Sequence, residues 1–186
     1  MQAIDLLLRR RSAKALTGPG PDEEALALML ESAAHAPDHG RLRPWRFIVI
    51  RGPARERFGE LLAGQLKRAR PAATAEALER ERQKAFRAPL IIAVAAMCEP
   101  IAKVPQIEQV LAAGAAAGYL LLAAKALGFN AVWKTGAAAY DETIKTALGL
   151  SAADTLVAFI HVGTEAAGAA APAPAGWRDR VMIWNG

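Results

Sequence analysis

Arg10, Arg11 and Ser12 place two guanidinium groups beside a hydroxyl. Guanidinium forks and hydroxyls match the oxygens of a phosphate monoester. The triplet also follows Ile4, Leu7 and Leu8, an apolar set at helical spacing. Basic residues at a helix C-terminus are favoured by the helix dipole alone, so the triplet by itself is explained at least as well by helix-end chemistry as by an anion site. Lys14 adds an ammonium able to sit near an electron-rich ring that becomes anionic on reduction, although a lone lysine is more often simply solvated.

A second group of donors lies in Ala36-Pro37-Asp38-His39-Gly40, just before Arg41, Arg43, Pro44 and Trp45. Loops held by a rigid scaffold are where binding groups concentrate. His39, and His35 before it, can donate to a ligand oxygen or remain exposed. A third group, Trp133-Lys134-Thr135-Gly136, offers an aromatic face, a cation, a hydroxyl and a backbone without a Cβ, all of which a planar heteroaromatic molecule can use. Ordinary core packing is the competing account of Trp133.

Other chemistries lack their residues. No GxGxxG follows a strand pattern, no GxxxxGK[ST] occurs, and the nucleophile elbow is missing. His35, His39 and His161 do not have HExxH spacing, and Cys98 is the single cysteine, so neither an intrachain disulfide nor a cysteine metal cluster can form. No metal site is expected.

The elements that must position these groups follow from periodicity. A short amphipathic helix precedes Arg9, and Gly18-Pro19-Gly20-Pro21 breaks the chain. Asp22, Glu23 and Glu24 suit a helix start, and Leu26, Met29, Leu30 and Ala33 give it an apolar stripe. Phe47–Ile50, Leu90–Ala95, Asn130–Lys134 and Leu156–Val162 read as strands. Between the first two lies charged helical sequence from Ala54 to Phe86, with a break at Pro71. Gln106–Leu127 reads as a helix buried on most sides, whose Gly114 and Gly118 permit close packing against another helix, including one across a dimer interface. Asp141–Leu148 is a short helix. Residues 166–176 are all Ala, Gly and Pro, beginning an extended C-terminal arm, 166–186, that ends in the apolar Val181-Met182-Ile183-Trp184. An apolar terminus on such an arm implies a docking surface, and a partner subunit is one solution.

The 186 residues suit one domain, 1–186. Their 53% hydrophobic content is largely alanine, which favours closely packed helices. The net charge of +5 comes from 23 Lys and Arg interleaved with 18 acids, a solvated surface and not a nucleic-acid footprint. The N-terminus lacks a signal pattern and the apolar runs look too broken to span a bilayer, so no membrane partner and a cytoplasmic location are expected.

Taken in order, Arg10-Arg11-Ser12-Ala13-Lys14, Ala36-Pro37 leading to Pro44-Trp45-Arg46-Phe47, Arg87-Ala88-Pro89-Leu90-Ile91-Ile92, Lys103-Val104-Pro105 and Trp133-Lys134-Thr135-Gly136 resemble the FMN-dependent nitroreductase family, and within it the minimal YdjA-type subgroup of NAD(P)H nitroreductases. The resemblance covers nearly the whole chain. It implies an α+β fold with a central mixed β-sheet flanked by helices, and a homodimer with FMN sites at the subunit interface. It also implies an oxidoreductase using NADH or NADPH to reduce nitroaromatic, quinone or similar acceptors by a ping-pong mechanism. By the same resemblance Arg10, Arg11 and Ser12 take the phosphate and ribityl end, and Lys14 approaches the pyrimidine edge. His35 and His39 come from the other subunit, and Trp133, Lys134 and Thr135 line the ring and its polar edge. No catalytic acid or base is implied, because the protein contributes orientation and charge. Asp38–Arg43 departs from the serines, Asn and Gln that many relatives carry before Pro-Trp. Alternatives with the same fold are a different reduction or flavin-processing reaction, or a flavin-binding module without turnover.

Overall fold

The computed structural model describes residues 2–13, 15–100, 103–165 and 176–186; Lys14 and residues 166–175 lie outside them. Six α-helices and five strands follow one another along the described chain. They are α1 (Ala3–Arg9), β1 (Leu16–Thr17), α2 (Glu23–Ala34), β2 (Trp45–Arg51), α3 (Ala54–Ala69), α4 (Ala75–Arg82), β3 (Leu90–Ala96), α5 (Gln106–Ala126), β4 (Asn130–Lys134), α6 (Glu142–Ala147) and β5 (Thr155–Glu165). Local chemistry accounts for most of the boundaries. Asp22, Thr74 and Asp141 accept from the backbone N–H of Ala25, Ala77 and Ile144 and so start α2, α4 and α6. Pro71 lies in the break between α3 and α4. Gly128, at φ 88°, ends α5 in the left-handed region and lets Phe129 N–H donate to Ala124 O at 2.9 Å, which turns the chain directly into β4.

The sheet runs in the order β1-β5-β3-β2, with β4 also on β5. Every ladder between these strands is antiparallel, and the parallel element is a single bridge between Ser12 and Ala131. All four expected strands form. The two-residue β1 has no local apolar pattern and exists because it pairs with Thr164 and Glu165. Gly163 permits this: a Cβ there would lie 2.7 Å from Pro89 Cδ and 2.8 Å from Thr17 O.

Strand alternation splits the core into two layers. Ile92, Val94, Ile160 and Val162 face α2 and α5, packing on Met29, Ala113, Ala117 and Leu120. Ile91, Ala93 and Phe159 face the other way, onto Phe58 and Leu62 of α3 and Ile144 of α6. The alanines of α5 bury little area each, and their value is close approach of helix to sheet.

One expectation needs correction. The 21-residue α5 is in fact long and apolar enough to cross a membrane by length and composition, but it packs on the sheet and α2 as a core helix. It keeps one side open: Ile107 and Leu111 are 63% and 64% exposed. With Gly114 and Gly118 they fall in one arc of about 60° at 100° per residue. Among the described residues no helix packs on the glycines; a Cβ on Gly118 would meet nothing within 4 Å, and one on Gly114 only the Trp133 ring at 4.0 Å. Ile4, Leu7 and Leu8 of α1 and Val181–Trp184 at the C-terminus are likewise uncovered.

Candidate functional site at the open edge of β4

One edge of β4 is paired with β5, and among the described residues its other edge is covered only at its start. There Ser12 bridges Ala131, and Ala13 N–H donates to Ala131 O at 3.2 Å. Because peptide groups alternate along a strand, the carbonyl direction of Ala131 recurs at Trp133. The N–H and C=O of Trp133 therefore face the same open edge, next to Thr135. The N-terminal segment is fastened there by Arg11, whose guanidinium takes both oxygens of Glu165 in a two-point ion pair, Nη1 to Oε1 at 2.6 Å. Ala13 and Leu16 pack with Ala88 and, partly, Val132. Arg10 is half-buried and Ser12 exposed beside this edge.

Trp133 and Lys134 leave the strand on opposite faces. Trp133 packs half-buried against the α5 layer, so packing accounts for its ring within the chain. Lys134, Thr135 and Gly136 enter a cavity of about 460 Å³ between the sheet and α3. Its inner wall is apolar, with Phe58, Leu62 and Phe159. Arg70, Lys84, Arg87 and Lys134 supply cations, and Glu81 is the one acid in the lining. Lys84 is bonded to Glu81 at 2.6 Å, so the positive field of Arg70, Arg87 and Lys134 remains for an anion. His161 also lines the cavity. It is 6% exposed, and its Nδ1 has no hydrogen-bond partner among the described residues. Burial first, then the charges of Lys134 and Arg87, push its pKa down to about 4 and keep the imidazole neutral.

The loop 36–44 is held in an unusual conformation. Asp38 accepts from Arg43 N–H at 2.8 Å, and Gly40, Arg41 and Arg43 have φ of 71°, 56° and 49°. Arginine in the left-handed region costs on the order of 1 kcal/mol, the kind of strain found at ligand clamps. His39 Nδ1 meets Glu108 Oε2 at 2.5 Å near the start of α5, and His35 is exposed at the end of α2. Within one chain Arg10, Arg11 and Ser12 lie at the start of β4 and Lys134 and Thr135 at its end, while His39 is tied to Glu108 in the first turn of α5.

Sequence reasoning missed Arg70, Lys84 and Arg87 as cavity residues and passed over His161. The missed cations look like ordinary charges on exposed helices, and only the fold turns them inward. His161 did carry a signal: it is the one polar side chain inside the apolar run Leu156–Val162.

A profile of the nitroreductase family matches residues 7–164. The chain belongs to the nitroreductase family. It is 40% identical over 164 residues, 88% of each chain, to YdjA of Escherichia coli (strain K12), classed by name with the NAD(P)H nitroreductases. In structure this nitroreductase resembles a nitroreductase-like family protein from Bacillus cereus, with a TM-score of 0.85, 21% identity and coverage of 100% and 97% of the two chains. It also resembles the FMN and NADPH-dependent nitroreductase NfnB from Sphigopyxis sp. strain HMH, with a TM-score of 0.77, 21% identity and full coverage of both. At that identity the structural likeness establishes the α+β, nitroreductase-like fold of sheet and flanking helices.

Proposed function

We propose that this nitroreductase is an FMN-dependent, cytoplasmic oxidoreductase that takes electrons from NADH or NADPH and passes them to nitroaromatic, quinone or similar acceptors in a ping-pong cycle. The observation that carries the reading is the open edge of β4, with Ser12 at one end and a cation-lined cavity beside the other. The residues fit the cofactor. Arg10, Ser12 and the N–H groups of Arg11 that Glu165 leaves free suit its phosphate. The main chain of Trp133 and Thr135 offers donors and acceptors to a heteroaromatic edge, and Lys134, with Lys14, supplies positive charge toward the ring. Bound FMN supplies two-electron acceptance and release, and the chain's part is to hold it, exclude water and set the field around it.

The working unit is a homodimer with FMN at the subunit interface. Two features support this. The uncovered face of α5 presents Gly114 and Gly118 between apolar side chains, and the C-terminal Trp184 is 83% exposed. A second copy can bring its own His35 and His39 to the β4 edge.

The decisive experiment is purification followed by an absorption spectrum, FMN titration and steady-state assay with each nicotinamide and a panel of acceptors. One FMN per chain and parallel double-reciprocal lines are expected. A protein that takes up FMN but reduces no acceptor would be a binding module, and one that takes up no FMN would overturn the assignment.

A further inference from the structure

His161 sits in β5 opposite Ile91 of β3 and Val132 of β4, in the middle of the sheet. Hydrocarbon surrounds it on the strands. The charged groups facing the same cavity are Lys134 from β4, Arg87 and Lys84 from the segment before β3, Glu81 from α4 and Arg70 just after α3. Lys and Arg side chains only donate, so none of the cations provides the imidazole with an acceptor, and the Glu81 carboxylate is taken by Lys84. The ring is 6% exposed and its Nδ1 is enclosed without a partner.

A histidine kept for packing is normally hydrogen-bonded, because a buried polar group without a partner loses its water and gains nothing in return. An apolar side chain of similar size would fill this place in β5 at lower cost. The cost is borne at the wall of the cavity beside the β4 site. We propose that His161 is a positioning residue for the cofactor: its imidazole is the hydrogen-bonding partner, from inside the cavity, for a polar atom of FMN held along β4. This rests on the FMN reading above and adds a residue to it.

Neutrality suits the role. A neutral imidazole has one N–H and one bare nitrogen and can accept as well as donate, whereas the surrounding Lys and Arg groups can only donate. Among the residues lining the cavity, His161 is thus the one side chain able to complement a donor atom of a heteroaromatic ring from a fully buried position.

The test measures two quantities on the same variants: FMN affinity by fluorescence titration, and the unfolding midpoint of the FMN-free protein. For His161→Phe the expected result is an FMN-free midpoint equal to or above the wild type, with FMN affinity weakened about tenfold, the size of one lost buried hydrogen bond. His161→Asn, which keeps a donor and an acceptor, should retain affinity to within about threefold. The position of the bound flavin's absorption bands should move in His161→Phe and stay in His161→Asn. A structural histidine would give the reverse: a lowered midpoint for both variants and unchanged affinity in whatever protein remains folded. Unaltered FMN affinity and bands in a folded His161→Phe variant would overturn the proposal while leaving the FMN reading intact. A wild-type protein that binds no FMN would remove both.

Discussion

The Arg11 guanidinium and the Glu165 carboxylate, 154 residues apart in sequence, meet as a two-point ion pair that ties the start of the chain to the end of β5. Glu165 is 8% exposed and Arg11 21%. Removing one member leaves the other desolvated and uncompensated. Glu165→Gln should therefore cost about 2 kcal/mol, less than a fully buried pair because Arg11 still reaches solvent. Since the pair holds Ser12 on Ala131, FMN affinity should fall with it. Urea unfolding and FMN titration of the same variant check both outcomes, and unchanged affinity would mean that the β4 edge holds the segment without this pair.

Lys134 places its ammonium in the cavity while its neighbour Trp133 packs on α5. Lys134→Ala should weaken FMN binding and make the bound flavin harder to reduce, by roughly 30 mV for a tenfold change in a two-electron equilibrium. Trp133→Ala should instead lower stability by about 3 kcal/mol, as a large aromatic truncation does. Spectroelectrochemistry separates the two. A potential that moves with Trp133 and not with Lys134 would reverse the roles.

The buried His161 makes stability depend on pH. Its folded pKa of about 4 lies below the ordinary imidazole value of 6.5, so between these values the unfolded chain binds more protons than the folded one. Stability is full above pH 6.5 and falls as pH drops toward 4, by roughly 3 kcal/mol at most. Unfolding midpoints of wild type and His161→Phe across that window should show a slope in the first that is reduced in the second. Equal slopes would place the acid sensitivity elsewhere.

Gly118 faces open space in its own chain, so a larger side chain there threatens only an interface. Gly118→Leu should leave the subunit folded and raise helix propensity by about 0.8 kcal/mol. Gel filtration should show dissociation, with FMN lost in parallel. A variant that stays dimeric would exclude this face of α5 from the interface.

A shared site also predicts complementation. Dimers mixed from Lys134→Ala and His39→Ala chains contain one site with both lesions and one with neither. FMN binding should return to one site in each mixed dimer, and so in proportion to the mixed fraction. If each site were built within one chain, every site in the mixture would carry a lesion and nothing would return.

The order of helices and strands was legible in the sequence because it depends on neighbours a few residues apart. Asp22 and Asp141 cap their own helices, Gly128 turns α5 into β4, and the apolar runs of β3 and β5 reflect strands covered on both faces. The resemblance to the nitroreductase family was legible for a related reason, since its motifs are short and keep their order along the chain. The sequence alone could not decide what depends on pairing across the chain. The register of β4 on β5 sends Lys134 into the cavity and Trp133 to the opposite layer, a choice that a one-residue slip would invert. The attachment of Ser12 to Ala131, the capture of Arg11 by Glu165, the meeting of Arg87 and Lys134 at one cavity and the burial of His161 with its Nδ1 unpartnered among the described residues all join segments far apart in sequence. Local periodicity carries no record of them, because each is set by which surfaces the sheet brings face to face.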